Sequence, residues 1–538
     1  MKASANSIEQ HISSLKTNVA VTTNSLAVYT GPWTKTEAAH LVRRTHFGLS
    51  INDLNATLSA GNSENAVNQI LEKALNTPLP DYPGWFLQGP SSDILDMYDI
   101  QFGWMDSMVS GGLLDRMKLF WSNHFAVSYN NNNALQVKAK NSYANHMLNY
   151  SRTIERYAMG NVKLLVRSIS KDPAMLYYLN NYVNSAENPN EDFARELLEL
   201  FTLGPEDLDG SSNYTESDVS EVARAVTGWR VVEARLRAVF NEASHDGSNK
   251  TIFGKTAAFN LDTLIDLIYA ERTLQSARFI CKKIYSYFVS AEGNDEVVDQ
   301  LAQHLVDNDF AIHQVLSRLF KSQHFYDVAL VGCRIKSPVE LFMTHFRELE
   351  IPPDTKRKEY IRIRMRQNSN EELLRPTTVF GWEGYNPAKS DNIPGHFAWL
   401  NTNYMPTRWQ ALSDLILVTR EDVSAFNTIR LIEKISDPTN PIAIASDVAK
   451  HLFAVNLENV DIAPVEDAFA GDPAISPNLD GRSQKEIDLA KILLGPVPWY
   501  EWSVQTDASG QLVYSRIFDY LIRNYISYLV QLPAYQLI

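Results

Sequence analysis

The chain has 538 residues, of which 45% are hydrophobic, 11% aromatic and 21% charged, a globular mixture unlike that of a disordered or fibrous chain. Its 49 basic and 63 acidic side chains leave a formal net charge of -14, which argues against nucleic acid as a partner, because a duplex-binding surface needs a basic footprint. Cys281 and Cys333 are the only cysteines and cannot build a disulfide framework, and no run approaches the roughly 18 apolar residues of a membrane span. Between residues 3 and 14 the only large apolar side chains are Ile8 and Ile12, so no signal peptide is visible and the compartment stays open. A chain of this length buries a sizeable core and is ordinarily divided into about two to four domains.

A helical repeat governs nearly every segment. Residues 36–46 place Ala38, Leu41 and Val42 at three- and four-residue spacing behind Thr34 as the cap. The pattern recurs at 64–75, 112–126, 134–158 and 160–169. The clearest helix is 190–203: Asn190 caps it, Phe193, Leu197 and Phe201 form one stripe, and Gly204-Pro205 stops it. Thr215 opens and Gly228 closes another at 215–228, with Val219, Val222, Ala223 and Val226 on its apolar face. Further helical runs cover 261–268, 273–289, 294–307, 311–321, 336–349, 406–420, 426–435, 442–454, 484–493 and 513–531. Alternation marks only 230–240 as a strand or hairpin arm, with 251–253 able to pair with it.

The expected fold is therefore mainly α, a multi-helix single body with at most a small β-hairpin near 230–254. Loop-like stretches lie at 76–92, 204–214, 241–250, 376–396 and 456–483. The organisation expected is an N-terminal extension (1–35), a helical core (36–455) and a linker with a C-terminal helical extension (456–538). Pro464, Pro473 and Pro477 with Gly471 and Gly481 predict that 456–483 is exposed and poor in regular structure.

Several familiar chemistries are absent or weak. Gly254-Lys255-Thr256 has the tail of a phosphate-binding loop, but Asn249 stands where its first glycine belongs. Neither a GxSxG elbow nor an HExxH pair occurs. Two ExxH triplets, Glu37–His40 and Glu242–His245, have the spacing of carboxylate-bridged metal sites; chance alone yields about 0.7 such triplets with this many histidines. His124 falls at a helix C-terminus, where a favourable dipole contact is the plain reading. The aromatic stretch 380–409 is either a ligand-stacking loop or a loop packed on the helical body.

The polar region from 190 to 250 holds the best candidates. His245-Asp246 can supply an imidazole and a carboxylate to a metal, or a general base with its acceptor, or can simply be a solvated turn before Gly247. Helix 190–203 carries Glu191, Arg195 and Glu199 four residues apart, with Asp192 and Glu196 beside them. These are either exposed ion pairs, each worth about 0.3–0.5 kcal/mol, or a ladder that positions a loop.

Taken in order, several segments resemble the bacterial domain-of-unknown-function family 1800: AAHLVRRTHFG (38–48), FWSNHFAV (120–127), DPAMLYYLNN (172–181), NPNEDFARELLELFTLG (188–204), YTESDVSEVARAVTGW (214–229), HDGSNKTIFG (245–254), RFICKKIYSYFVS (278–290), IKSPVELF (335–342) and PTTVFGWEGYN (376–386). Asp192 stands where the family pattern usually has Asn, and Ser122 replaces a frequent His before Asn123-His124. The second change weakens any paired-histidine metal site there. The resemblance implies no established activity. It implies export for many members and frequent encoding beside family 1501, whose members look like sulfatases or phosphatases, so a family 1501 protein is the implied partner. It also directs attention to Asn190, Glu191, Arg195, Glu196, Glu199, Thr227, Trp229, His245, Asp246 and Lys250, which match the family pattern.

Two functions follow as expectations. The first is a hydrolase-like enzyme, metal-assisted if a divalent ion binds, with His245, Asp246, Glu196, Arg195 and Lys250 as the catalytic set and His245, Asp246 and Glu199 as metal ligands. Hydrolysis is the default because no redox or nucleotide motif is present. The second is a non-catalytic scaffold or binding protein for an exported or surface-linked partner, in which the same charges are structural pairs. The enzyme reading requires His245 or Asp246 to meet the 190–199 helix in a concave site.

Overall fold

A computed structural model describes residues 20–130, 138–368, 371–385, 395–401, 403–417, 426–462, 479, 481–497, 502, 504–507, 509 and 511–538. The expected body of packed helices is what forms. Helix starts follow local chemistry: Thr34 and Glu37 make a capping box for Lys35–Thr45, Asn62 caps Ser63–Asn76, and Ser337 with Glu340 caps Pro338–Glu348. Helices not anticipated from periodicity also form, two short, Gly84–Leu87 and Pro173–Tyr178, and three long, Ile51–Ser59, Ile94–Ser110 and Thr355–Asn368. The last, TKRKEYIRIRMRQN, is dominated by basic residues and offers no apolar stripe to read. Among the described residues no helix is long and apolar enough to cross a membrane.

Strands depart from expectation in number and pairing. Trp229–Val232 pairs antiparallel with Arg237–Phe240, but Lys250–Ile252 pairs with Lys255–Ala257 and not with the first hairpin. The reason is the turn Phe253-Gly254, both at positive φ (52° and 74°), which folds the second strand back at once. A third pair, Val504–Thr506 with Leu512–Tyr514, lies well outside the 230–254 region.

The centre of the body is charged as well as apolar. Every residue of Pro338–Glu348 is buried, as are all of Leu113–His124 except Asn123. Arg116 Nη1 sits 2.5 Å from Glu340 Oε1, both side chains fully buried, and Arg334 Nη1 lies 3.4 Å from the same oxygen. Rings of Phe47 and Tyr287 flank the Arg116 guanidinium at 5.1 and 4.8 Å. Two arginines beside it hold the Glu340 carboxyl down at about 2 despite burial. At nearby Glu371 burial outweighs the hydrogen bonds and pushes it up to about 8, so it keeps its proton and accepts from Tyr385 Oη at 2.8 Å and Val339 N at 2.9 Å.

The C-terminus is built into this centre. Arg516–Gln531 packs on Tyr404–Leu417 and Gln484–Leu494, and Lys336 N donates to Gln536 O at 2.7 Å while Ile538 N donates to Arg334 O at 2.8 Å. Tyr535 and Gln536 are fully buried. Residues 1–19 of the expected N-terminal extension, 463–478 of the expected linker, 386–394 of the aromatic stretch, 131–137 and 418–420 lie outside the described residues.

Candidate functional site

The sequence candidates fall around one helix, Glu216–Ala225, which Thr215 and Asp218 start with a capping box. At its C-terminal end the chain turns through Gly228 at φ 93°, where a Cβ would come within 2.9 Å of the His245 Cβ. That close approach brings the 241–249 loop onto the helix end. Thr227, fully buried, anchors it: its Oγ1 accepts from Asp246 N at 2.8 Å and donates to Arg224 O at 2.7 Å. His245 Nδ1 lies 3.1 Å from the Thr227 carbonyl, which can only accept, so Nδ1 carries the proton and Nε2 the lone pair. Burial lowers the His245 pKa and leaves the ring neutral at physiological pH.

Arg224 then closes the knot. Its Nε donates to Asp246 Oδ2 at 2.7 Å, its Nη1 to both Glu221 oxygens at 2.8 Å and its Nη2 to Ser248 Oγ at 2.5 Å. Asp246 is held well below the usual carboxylate range because hydrogen bonds from Ser248 and Arg224 outweigh its partial burial. Lys250, 1% exposed, spends its ammonium on the carbonyls of Asp246 and Ser248. Burial lowers its pKa.

The remaining candidates gather elsewhere. Arg195 makes a two-point pair with Glu216 at 2.9 and 2.7 Å and reaches Glu191 at 3.4 Å, all on the surface. Glu199 accepts from Tyr214 Oη at 3.4 Å. Burial, with the charge of Glu199 next, raises the Glu196 carboxyl to about 7. Glu216 and Arg224 stand at opposite ends of their helix, about 12 Å apart at 1.5 Å per residue. The charges that act most on His245 are those of Lys250, Asp246 and Glu242. His245, Asp246 and Lys250 are thus brought together, while Arg195, Glu196 and Glu199 form a separate set. Among the described residues no three His, Cys, Asp or Glu side chains converge as metal ligands, so His245, Asp246 and Glu199 are not gathered into one site. In the other ExxH triplet, Glu37 serves the Thr34 cap while His40 turns inward to Phe325 O at 3.0 Å.

A second polar centre was hidden in the sequence. Residues 192–202 begin as an α-helix, Asp192–Glu196, and widen into a π-helix, Leu197–Thr202, in which Leu203 N donates to Leu198 O at 2.9 Å. A strict four-residue stripe of Phe193, Leu197 and Phe201 drifts around a 3.6-residue helix, and the wider turn keeps it facing inward. The turn also releases carbonyls. His124 Nε2 donates to Phe201 O at 3.2 Å, and Lys283 Nζ donates to His124 Nδ1 at 3.1 Å and Leu200 O at 3.3 Å. Enclosure pushes the Lys283 amine down to about 7. Beside them Asn123 Oδ1 accepts from Trp382 N at 2.8 Å, so segments 120–127, 188–204, 278–290 and 376–386 meet at one place. Trp382 is 1% exposed, in keeping with packing of the aromatic stretch on the body.

Open space lies elsewhere. A cleft of about 410 Å³ runs between the proline-rich loop 77–83 and the helices Ile94–Ser110, Leu113–His124 and Tyr143–Tyr157. On its floor Lys118 Nζ lies 3.3 Å from Asp115 Oδ1, 3.2 Å from Glu155 Oε1 and 5.2 Å from the Trp104 ring centre. Sequence reading missed it because its parts are a loop and three helices far apart in the chain, none with a recognisable spacing.

Geometry therefore defines a helical protein with a closed polar knot at 224–250, a buried His124–Lys283 centre and a separate acidic cleft. The chain belongs to a family described as proteins of unknown function, DUF1800, whose profile matches residues 40–537. No curated protein and no solved structure matches it significantly.

Proposed function

We propose that this chain is a non-catalytic binding protein, a rigid helical frame that presents a ligand or partner surface. The observation that carries this reading is the closure of the His245 knot: Asp246 and Glu221 are both paired to Arg224, Lys250 is spent on two carbonyls, and Thr227 fixes the imidazole. Acid–base chemistry needs groups within about 3 Å of one reacting atom, and here the acids face an arginine. The test is an assay for divalent-metal content and for ester and phosphoester hydrolysis with added magnesium, manganese or zinc, run beside His245→Ala. The expected result is equal background turnover in both proteins and a slightly lower Tm in the variant, from loss of a hydrogen bond worth about 1 kcal/mol. Metal-dependent turnover abolished by His245→Ala overturns the reading. A family 1501 protein, the partner implied by genomic company, is examined by co-purification of the two full chains.

One observation favours the hydrolase-like alternative. Glu196, raised to about 7, stands beside Glu199, and a carboxyl that keeps its proton near neutral pH next to a second carboxyl group is an acid–base arrangement used in hydrolysis. In that case Glu196→Gln removes turnover and His245→Ala does not.

A further inference from the structure

The cleft beneath loop 77–83 has walls, floor and rim of distinct chemistry. Pro78, Pro80 and Pro83 stiffen the loop on one side. Arg152 pins it, with its guanidinium 3.9 Å from the Tyr82 ring centre and Nη1 donating to Pro80 O. Trp104, held by its Nε1 donating to Ser151 Oγ at 2.7 Å, forms part of the wall with Leu114.

Charge in the cleft is one-sided. Asp81, Asp99, Asp115 and Glu155 line it against Lys118 and Arg152, four carboxylates against two cations, for a formal balance of -2. Both cations are already engaged, Lys118 by Asp115 and Glu155 and Arg152 by Pro80 O and Tyr82. An anion entering here meets Asp81 and Asp99, to which neither cation of the cleft is paired, whereas a cation meets its complement.

A third observation concerns Gly103, in the interior of the Ile94–Ser110 helix and lining the cleft. A helix-interior glycine costs about 1 kcal/mol relative to alanine because its backbone loses more freedom, and a neighbour that leaves no room for a Cβ is the common packing reason to keep one. At Gly103 an added Cβ meets nothing within 4 Å. Packing does not require this glycine, and its effect is to widen the cleft.

Resting on the binding-protein reading above, we propose that the cleft binds a small organic ammonium, a primary or quaternary amine with an apolar body of a few carbons. The ammonium sits toward Asp81 and Asp99, away from the Lys118 pairs, and the apolar body along Trp104 and the prolines. A volume of about 410 Å³ suits a ligand of this size.

The experiment is calorimetric titration of the full chain with hexyltrimethylammonium and hexylamine, against hexanoate and hexyl glucoside as anionic and neutral controls. The expected result is saturable one-to-one binding of both cations that weakens severalfold when salt rises from about 0.05 to 0.5 M, as screening shortens the Debye length. Gly103→Phe, which fills the space without touching the Lys118 pairs, abolishes binding and leaves Tm within a degree or two of wild type or above it. Asp99→Asn weakens binding about tenfold, near 1.4 kcal/mol. Equal binding of hexanoate, undiminished binding by Gly103→Phe, or no saturation by any cation overturns the proposal. Binding of hexyl glucoside alone, lost in Gly103→Phe, overturns the ammonium assignment and leaves the binding-protein reading standing. That reading falls separately, on metal-dependent turnover that requires His245.

Discussion

Replacement of Glu340 by glutamine tests the charged centre of the frame. The side chain keeps its shape and part of its role in the Ser337 cap, but the negative charge 2.5 Å from Arg116 and 3.4 Å from Arg334 disappears. Arg116 and Glu340 are both fully buried, so no water takes over, and the rings around Arg116 offset only part of the loss. Removing one partner of such a pair costs about 3–5 kcal/mol. Glu340→Gln should therefore lower the unfolding free energy of the first transition in urea by that much, measured by tryptophan fluorescence at pH 7. Adding Arg116→Met to it should recover much of the loss, because the uncompensated cation is then gone. Acid supplies a second arm. The Glu340 carboxyl titrates near 2 in the folded chain and near 4.3 when unfolded, so its contribution is fully present above about pH 4.3 and drains away as pH falls toward 2. Wild type should lose stability over that window, and Glu340→Gln should lack this part of the loss. A cost below about 1 kcal/mol at pH 7, in the range of a surface pair, would refute the argument that this pair sits in a dry core.

Three further outcomes follow from the same geometry. Lys283, whose pKa falls from 10.5 to about 7 on folding, binds the extra proton only in the unfolded chain between those values, so stability should rise with pH across that window; Lys283→Met should flatten the rise in denaturation curves at pH 7 and pH 10. A double-mutant cycle of Arg224→Ala and Asp246→Asn should show a coupling of about 1 kcal/mol, reduced by salt because Arg224 keeps 27% of its side-chain surface in solvent, and no coupling would mean that the knot is open. Gly381→Ala forces a residue at φ 85° to accept a Cβ inside contact distance of the Asn123 side chain, so a loss of about 2 kcal/mol or more and a red-shifted Trp382 emission are expected.

Periodicity and capping made the helices legible because those signals are local: Thr34 and Thr215 cap in space as they do on paper. Thr355–Asn368 escaped because its helix is dictated by packing and ion pairs such as Arg362 with Glu359, at 2.7 Å, and not by an apolar stripe. The hairpin near 230–240 was readable from alternation, yet the partner of 250–252 was set by two positive-φ residues at 253–254 that no alternation encodes. At the candidate site the composition of the knot was visible: His245, Asp246 and Lys250 do meet. Thr227 stood out through the family resemblance, but Arg224 did not, because it belongs to a helix end whose approach depends on the close packing at Gly228. The spacing of Phe193, Leu197 and Phe201 held a trace of the π-turn, since a strict period of four does not fit 3.6 residues per turn.

The polarity of the family-like segments has a structural cause that bears on function. Arg44 in 38–48 donates to Leu330 O at 2.7 Å, Asn123 in 120–127 accepts from Trp382 N, and Lys336 in 335–342 donates to Tyr535 O at 2.8 Å. Each ties segments 199 or more residues apart in sequence through a bond that must be made, because an unpaired polar group in that interior costs about 1–3 kcal/mol. Apolar side chains tolerate a helix sliding by a fraction of a turn, whereas a buried guanidinium aimed at one carbonyl does not. A body assembled from so many short helices needs that discrimination, and its polar residues supply it in the same places where a sequence reader looks for catalysis.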